Sequence, residues 1–420
     1  MWRTKRSAPT IRLSLSCLVL LFVCVSAWRL AAQTANSCVT CHGSPSDTLK
    51  KVVDESMQSV HSHKGMSCDT CHGGNPNEIV ASRAHGAGFR GHIKREDVPQ
   101  LCGSCHADAN HIKHFNPSLR TDQLAQYNTS GHGIKLATGD AKVAICTDCH
   151  GVHNILPGTD PLSPVHPLNV ATTCSRCHSD VGLMKSYHLR ATQFSDYSES
   201  VHHDAMVARG DLSAPTCSTC HGSHGAAPPS AASVVNVCGT CHVVQAQSFE
   251  QSPHKSEFPE GCTTCHSAHK IKHPDDQFVG LAKGASCADC HGADEESGKQ
   301  ATLIHDHLAG YAQRISKATE LIEQAARSGM DVSGAQGDVS QATEFLTKAR
   351  VRVHTARASA VDMELQAGSK VLERAQREGE NALLERNARR RGLLIPLLAV
   401  VVVVFSLGAY IRDLERGGRS

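Results

Sequence analysis

Apolar residues are distributed in three different ways along this chain. Two nearly uninterrupted apolar runs cover residues 13–27 and 393–411. Between residues 301 and 391, apolar residues recur at alternating spacings of three and four, whereas residues 38–291 contain few long periodic segments and many Gly, Ser and Pro residues. The pattern therefore predicts a membrane-directed segment at each end, a long helical region before the second one, and a middle region of coil and short helices.

The first apolar run has the features of a secretory leader. Four basic residues precede it, at positions 3, 5, 6 and 12, as in the basic region of a signal sequence. We expect residues 1–32 to act either as a signal peptide, cleaved after Ala27 or Ala32, or as an uncleaved N-terminal anchor. In either case the chain that follows is expected to be exported.

The second apolar run predicts a transmembrane helix over residues 392–412, because 19 residues without a charge can cross the hydrocarbon core of a bilayer. Residues 413–420 would then form a short cytoplasmic tail. Arginines at positions 386 and 389–391 precede the run. They would lie on the outer side of the membrane, contrary to the tendency of basic residues to remain on the cytoplasmic side. We expect the export of the preceding region to override that tendency.

The helical region, residues 300–391, is expected to form a coiled-coil hairpin, a stalk. Its first helix should end at Ser328 and Gly329. The predicted seam of that helix is Ile304, Leu308, Tyr311, Ile315, Ala318, Ile322 and Ala325. The predicted seam of a second helix, over about residues 339–391, is Ala342, Leu346, Ala349, Val353, Ala356, Ala360 and Met363. The stalk is either a spacer or a docking surface for a partner or a second protomer, since a hairpin leaves apolar seams exposed.

Composition separates this chain from ordinary globular proteins. It has 420 residues but only 9 Phe, 5 Tyr and 2 Trp, whereas Cys and His number 20 and 28. Something other than aromatic side chains must supply much of the buried apolar bulk. The formal net charge of +2 gives no broad attraction to nucleic acid, and no nucleic-acid partner is expected.

Eighteen of the twenty cysteines belong to nine C-x-x-C-H strings, numbered here as motifs 1 to 9 in chain order. The motif residues are Cys38, Cys41 and His42; Cys68, Cys71 and His72; Cys102, Cys105 and His106; Cys146, Cys149 and His150; Cys174, Cys177 and His178; Cys217, Cys220 and His221; Cys238, Cys241 and His242; Cys262, Cys265 and His266; Cys287, Cys290 and His291. The other two, Cys17 and Cys24, lie in the predicted leader.

This string is the attachment site of c-type haem. Two thiols on one turn of chain can bond the porphyrin as thioethers, and the His that follows is then directed at the iron. Zinc does not require a His after every second Cys, a thioredoxin-like pair occurs once beside a βαβ pattern, and disulfides would place no His there. We therefore predict nine covalently bound haems in a cytochrome domain over residues 33–299, with the motif histidines as iron ligands.

The motifs are arranged in a repeat: Ser-x-His, a motif, a His three residues later, and a second motif. Copy 1 contains motifs 2 and 3, copy 2 motifs 4 and 5, copy 3 motifs 6 and 7, and copy 4 motifs 8 and 9. Copy 1 is degraded, since Gly73, Gly74 and Asn75 replace its trailing His, and motif 1 precedes all four copies.

Each complete copy thus offers two haems and two additional histidines, as bis-histidine ligation requires. A trailing His is expected to serve a neighbouring haem rather than its own. The predicted distal ligands are His61, His132, His153, His188, His202, His224, His254 and His269. A ninth is to be found among His85, His92, His166, His305 and His307, of which the last two would tie the stalk to the last haem; His354 is not expected to be a ligand.

The segments Ser200-Val201-His202 and Cys217-Ser218-Thr219-Cys220-His221-Gly222-Ser223-His224, with their counterpart at 146–153, resemble multihaem c-type cytochromes with a doubled C-x-x-C-H motif. These form the cytochrome c3-like and octahaem-like group of respiratory bacteria. The resemblance covers roughly residues 38–291. It implies a multihaem fold of coil and short helices around stacked haems, low-potential bis-histidine irons and a periplasmic role linking quinones to terminal acceptors.

The expected function is therefore electron transfer in an anaerobic-type respiratory chain, with the haem domain facing the periplasm at the cytoplasmic membrane. A quinol-oxidising cytochrome b or iron–sulfur subunit is the expected donor, and a periplasmic or outer acceptor the recipient. An electron carrier is favoured over an enzyme. The alternatives are an oxidoreductase of small nitrogen or sulfur compounds, with one open iron, and a haem-based sensor, for which no signalling domain follows the apolar run.

Overall fold

The structure is a computed structural model that describes residues 36–417. Within that range all regular structure is helical and no strand occurs. The predicted leader at residues 1–32, with Cys17 and Cys24, lies outside the described residues. Two compact units divide the chain: one contains the chain up to Phe194 together with Ala205–Pro228, and the other contains Ser195–Asp204 and the chain from Pro229 onward.

The motif-bearing region consists of short helices joined by coil, as predicted. None of these helices exceeds the 12 residues of Pro167–His178. The α-helices are Ser37–His42, Lys50–Met57, Val60–His63, Cys68–His72, Ala81–Ala84, Val98–His106, Ala109–Phe115, Gln123–Thr129, Gly131–Ala137, Cys146–His150, Pro167–His178, Val181–Ser186, Gln193–Ser198, Val201–Val207, Cys217–His221, Ala231–Gly239, Val243–Glu250, His254–Glu257 and Thr263–His266. Short 3-10 turns occupy Arg95–Asp97, Asp276–Phe278 and Ser286–Asp289.

Three long helices follow, Glu296–Arg327, Ser333–Arg352 and Ala358–Gly417, here called bundle helices 1, 2 and 3. Each packs against the other two. The hairpin prediction is therefore wrong in the number of helices. The expected second helix is interrupted by a 3-10 turn at Val353–Thr355 and by Ala356, whose φ of 53° lies in the left-handed region. The local sequence favours this break, because β-branched residues at positions 351, 353 and 355 have low helix propensity.

The break shifts the phase of the apolar seam. The first seam is confirmed, with Ile304, Leu308 and Ala325 all buried. In bundle helix 2 the predicted seam holds as far as Ala349, but Met363 in bundle helix 3 is 64% exposed. The buried apolar residues of helix 3 are Ala358, Val361, Leu365, Leu372, Ala375 and Ala382. The third helix covers the seams that a hairpin would expose, and the reason for expecting a docking surface there is thereby removed.

Bundle helices 2 and 3 are also joined by an ion pair. Arg374 Nε donates a hydrogen bond to Asp338 Oδ2 at 2.6 Å, and a second bond joins the same two side chains. Asp338 is only 9% exposed. The Arg374 guanidinium holds the pKa of the Asp338 carboxyl below its usual range.

Bundle helix 3 continues without interruption through the second apolar run, so that one 60-residue helix contains both. The apolar part is fully exposed and is long and apolar enough to cross a membrane. Residues 393–411 extend over about 28 Å at 1.5 Å per residue, close to the thickness of a bilayer core. Pro396 lies inside this helix, where it removes one backbone hydrogen bond.

Truncation of Leu372, which is fully buried in the bundle, tests the new seam. We expect Leu372→Ala to lower the free energy of unfolding of the bundle by about 2–5 kcal/mol, because a cavity is left in a packed core. Urea unfolding followed by far-UV circular dichroism measures the change. Met363→Ala, on the same helix but exposed, should change it by less than about 0.5 kcal/mol. Equal losses in the two variants would contradict the phase of helix 3.

The Asp338–Arg374 pair predicts a pH-dependent contribution to bundle stability. Its folded pKa is lowered, so the pair stabilises the bundle above the unfolded pKa of about 3.9 and loses this effect as the pH falls through the folded value. Asp338→Asn should therefore be less stable than the parent at pH 7, and the two melting curves should converge in acid. A difference that is independent of pH would contradict this assignment.

Candidate functional site

Three of the motifs form identical five-residue turns: Cys68–His72, Cys146–His150 and Cys217–His221. In each turn, the residue directly before the second Cys accepts a hydrogen bond from the backbone N–H of the residue directly before the first Cys. Ile145 N–H donates to Asp148 Oδ2 at 2.8 Å, and Thr70 and Thr219 accept the equivalent bonds at 3.2 and 3.1 Å. The local sequence thus builds the turn that presents two thiols and an imidazole together.

The chain reverses direction directly after these motifs. Gly73, Gly151 and Gly222 follow the motif His with φ values of 68°, 84° and 83°, and Ser267 holds the same place in copy 4 with φ 61°. Glycine adopts this left-handed conformation without steric cost. In copies 2 and 3 the trailing His follows this turn and lies against an imidazole of another motif.

Motif histidines are paired in space with other histidines. The eight pairs, with the distance between ring centroids, are His42–His85 at 6.0 Å, His61–His106 at 6.0 Å, His72–His153 at 6.3 Å, His132–His178 at 6.1 Å, His150–His224 at 6.0 Å, His202–His242 at 6.3 Å, His254–His291 at 6.0 Å and His266–His354 at 6.1 Å. Every pair contains one motif His.

The pairs share a distance but not an orientation. Their interplanar angles range from 6° for His150–His224 to 79° for His61–His106. Direct stacking would favour one orientation and a shorter separation. Partners between 37 and 88 positions apart in sequence nevertheless keep the same spacing. A group of fixed thickness between the two rings accounts for a constant distance at variable angle.

The structure brings at least six of the eight predicted distal histidines together with motif histidines: His61, His132, His153, His202, His224 and His254. His153 and His224 each lie against the first motif of the preceding copy rather than their own, as expected. His85, one of the five candidates for the ninth ligand, lies against His42.

The remaining candidates outside the bundle are His188, His166, His92 and His269. Among residues 36–417, no imidazole is paired with His188, which is exposed and has φ 57°. His166 caps the helix Pro167–His178, and His92 is exposed. His269 is half-buried in the coil after Thr263–His266.

The two stalk candidates, His305 and His307, lie beside Asp306 and Asp362, with Nδ1–oxygen distances of 3.1 and 3.9 Å. His354, which sequence reasoning set aside, is instead the bundle residue that lies against a motif His, at His266. His354 lies at a break between two helices, and the β-branched residues around it were the sequence signal for that break.

Several imidazoles are oriented through Nδ1. His72 Nδ1 lies 2.8 Å from the carbonyl oxygen of Arg90, and His221 Nδ1 lies 3.2 Å from that of Ala227. His42 Nδ1 lies 3.3 Å from a carboxylate oxygen of Asp47. A neutral imidazole that donates through Nδ1 presents the lone pair of Nε2, the usual arrangement of a metal-ligating histidine.

Burial keeps many of these imidazoles neutral, because it disfavours the charged form and lowers the pKa. The histidines whose pKa is lowered chiefly in this way are His61, His106, His132, His150, His153, His178, His202, His224, His254, His266 and His354. A metal ligand must be in this neutral form.

Consecutive motifs lie side by side through their cysteines. A hydrogen bond between thiols raises the pKa of Cys102 and lowers that of Cys146. Equivalent bonds join Cys174 to Cys217 and Cys238 to Cys262. Motifs 3 and 4, 5 and 6, and 7 and 8 are therefore adjacent in space.

At the motifs, the described residues contain neither a larger cluster of metal-binding side chains nor a disulfide. Between residues 36 and 417, no group of three or more His, Cys, Asp or Glu surrounds a common point, as a tetrahedral zinc site requires. None of the eighteen motif cysteines forms a disulfide in the described residues. At eight of the nine motifs the donor set instead consists of two thiols and two imidazoles.

Successive copies are linked by an equivalent backbone hydrogen bond. In copies 1 to 3, the central residue of the Ser-x-His segment donates its N–H to the carbonyl two residues after the trailing His of the next copy. These bonds are Val60 to Ile155 at 2.8 Å, Gly131 to Ala226 at 3.0 Å and Val201 to Ile271 at 2.8 Å. The repeat seen in sequence is thus also a repeat of contacts.

No protein-family model, curated protein or solved structure matches this chain. Its function is therefore inferred from its own residues.

Proposed function

We propose that this protein is a membrane-anchored c-type cytochrome that binds nine haems and carries electrons along them. The constant spacing of the imidazole pairs is the observation that supports this most directly. Two imidazoles bonded to opposite faces of one iron have ring centroids about 6.2 Å apart, taking about 2.0 Å for each metal–nitrogen bond and about 1.1 Å from nitrogen to centroid. The observed separations are 6.0–6.3 Å.

The chain would supply the attachment and the orientation of each haem. The two thiols of each motif would form thioethers with a haem, and the motif His would be its proximal ligand. The second imidazole of each pair would close the opposite face. Hydrogen bonds donated by Nδ1–H, such as that from His72 to the carbonyl oxygen of Arg90, fix the ring and raise its basicity. The haem iron itself supplies the one-electron redox change.

The sites follow one another in chain order within each unit. Electrostatic contacts between cysteines link motifs 1 and 2, 2 and 3, and 4 and 5, in addition to the thiol bonds between motifs 3 and 4 and motifs 5 and 6. In the other unit, motif 7 adjoins motif 8, and motif 8 adjoins motif 9. Haems attached at these cysteines would be neighbours in the order of the motifs, which is the order in which electrons would pass within each unit.

The location follows from the same chemistry. Haem attachment of this type takes place outside the cytoplasm, so the motif region would face the periplasm, anchored by the C-terminal apolar helix. A quinol-oxidising cytochrome b or iron–sulfur subunit would donate electrons. A catalytic role would need an iron with an open face, and at least eight of the nine motif histidines have an imidazole partner, which favours a carrier.

Counting cofactors tests the proposal. Purified mature protein should contain nine irons and nine covalent haems per chain, by elemental analysis and by mass spectrometry after denaturation. Replacing both cysteines of motif 4 (Cys146→Ser with Cys149→Ser) should reduce the count to eight, because that porphyrin loses both thioether bonds. The control Ser104→Ala alters motif 3 at a position between its cysteines and should leave nine haems. Zinc in place of iron would refute the proposal.

Ligand deletion tests the pairing. His61→Ala should open one iron, so the reduced variant should bind one more carbon monoxide per chain than the parent, measured by difference spectroscopy. His63→Ala provides a matched control, since His63 lies two residues away on the same short helix and is exposed. Both variants should retain nine haems. Identical carbon monoxide stoichiometry in the two would exclude His61 as a ligand.

A further inference from the structure

The last copy of the repeat has a ligand that the repeat itself does not supply. In copies 1 and 2, the first motif His lies against the trailing His of the following copy: His72 against His153, and His150 against His224. Copy 4 has no following copy. His266, the first motif His of copy 4, must therefore take its partner from elsewhere in the chain.

That partner is on the helical bundle. His354 lies in the turn between bundle helices 2 and 3, and its ring centroid is 6.1 Å from that of His266, with an interplanar angle of 26°. The distance falls within the narrow range of the other seven pairs. Its sequence separation of 88 positions is the largest of all eight pairs.

The turn holds this imidazole in a defined orientation. His354 Nδ1 lies 2.9 Å from the carbonyl oxygen of Val351, which leaves Nε2 available. Thr355 is buried and donates to the carbonyl of Arg352 at 2.7 Å. Ala356 then takes a left-handed conformation, which a residue other than glycine adopts only where its surroundings enforce it. A strained turn at this place is characteristic of a functional position.

His266, the other member of the pair, is also connected to the segment that contains His354. Arg350, at the end of bundle helix 2, donates two hydrogen bonds of 2.8 Å to the carboxylate of Asp276. Asp276 begins the 3-10 turn that ends at Phe278, and the Phe278 ring stacks on His266 at 5.2 Å and 16°. Helix Val243–Glu250, which follows motif 7, packs against the His354 turn as well. These contacts fix the distance between the two imidazoles from both sides.

We infer that His354 is the distal iron ligand of the motif 8 haem, so that the three-helix bundle closes the repeat array and is not merely a stalk. This inference rests on the proposed haem function and extends it: the bundle must be folded for that haem to be six-coordinate. His354 occupies the role of the trailing His of a fifth copy. Terminal elements that differ from the repeat and close its open end are a general feature of repeat proteins.

The test compares His354→Ala with His305→Ala in the full-length protein. His305 is also on the bundle but is hydrogen-bonded to Asp306, and it is the matched control. We expect His354→Ala to keep nine haems, to show one high-spin iron by electron paramagnetic resonance, and to bind one more carbon monoxide per chain than the parent. Added imidazole, and separately the variant His354→Met, should restore the low-spin signal. His305→Ala should match the parent.

The outcomes separate the two proposals. A parent protein without haem would refute the proposed function itself. Nine haems with no new high-spin iron in His354→Ala would refute only the role of His354. If His354→Ala does not accumulate, His354→Met is tested instead. We expect its ligand-field spectrum to differ from that of the parent at one haem of the nine. An unchanged spectrum in that variant would again overturn the inference.

Discussion

A fixed separation of about 6 Å between imidazole rings is the constraint on which the motif region depends. It joins segments that lie up to 88 positions apart, and it recurs whatever the angle between the rings. Both clusters of buried apolar side chains in the described part of the chain lie in the bundle region. Between residues 36 and 278, buried apolar side chains such as Ile145, Met184 and Met206 form no cluster of that kind, and the groups proposed between the imidazoles would add to the cohesion of this region. Folding of that region would then be linked to cofactor attachment, as in other proteins whose fold depends on a bound group.

The repeat extends from ligands to backbone. The bonds from Val60, Gly131 and Val201 each join one copy to the next at the same position, and the adjacent serines, such as Ser130, are fully or almost fully buried. In copy 4 the central residue of the Ser-x-His segment is Pro253, which has no N–H to donate. The last copy thus lacks both the backbone donor and the successor that would accept its bond. Sequence and structure agree on where the array ends.

The sequence predicted what depends on local chemistry. Each motif is a one-turn unit, and the offset of His153 from its own motif was sufficient to expect service to a neighbour. The sequence did not reveal which distant segment reaches each site, since that depends on how turns aim the chain. His188 follows the Ser-x-His pattern but lies outside a repeat copy and ends exposed, whereas His354 follows no pattern and is placed by a helix break. In the sequence the heptad spacing continues across Ala356. In the structure Ala356 has a left-handed conformation, so that a different face of the following helix is buried.

The geometry of the bundle bears on how electrons would reach the motif region. Bundle helix 3 starts at Ala358, beside the His354 turn, and enters the apolar run at residue 393. Along that helix the two points are about 52 Å apart at 1.5 Å per residue. The other end of the bundle lies next to the apolar run, where Arg386 donates to Ser328 at 3.3 Å. The haem proposed for motif 8 would therefore sit at the end of the bundle remote from the apolar helix, too far for direct exchange with a quinol beside that helix. The length of the bundle is therefore the distance that any donor beside the apolar helix would have to bridge to reduce this haem directly.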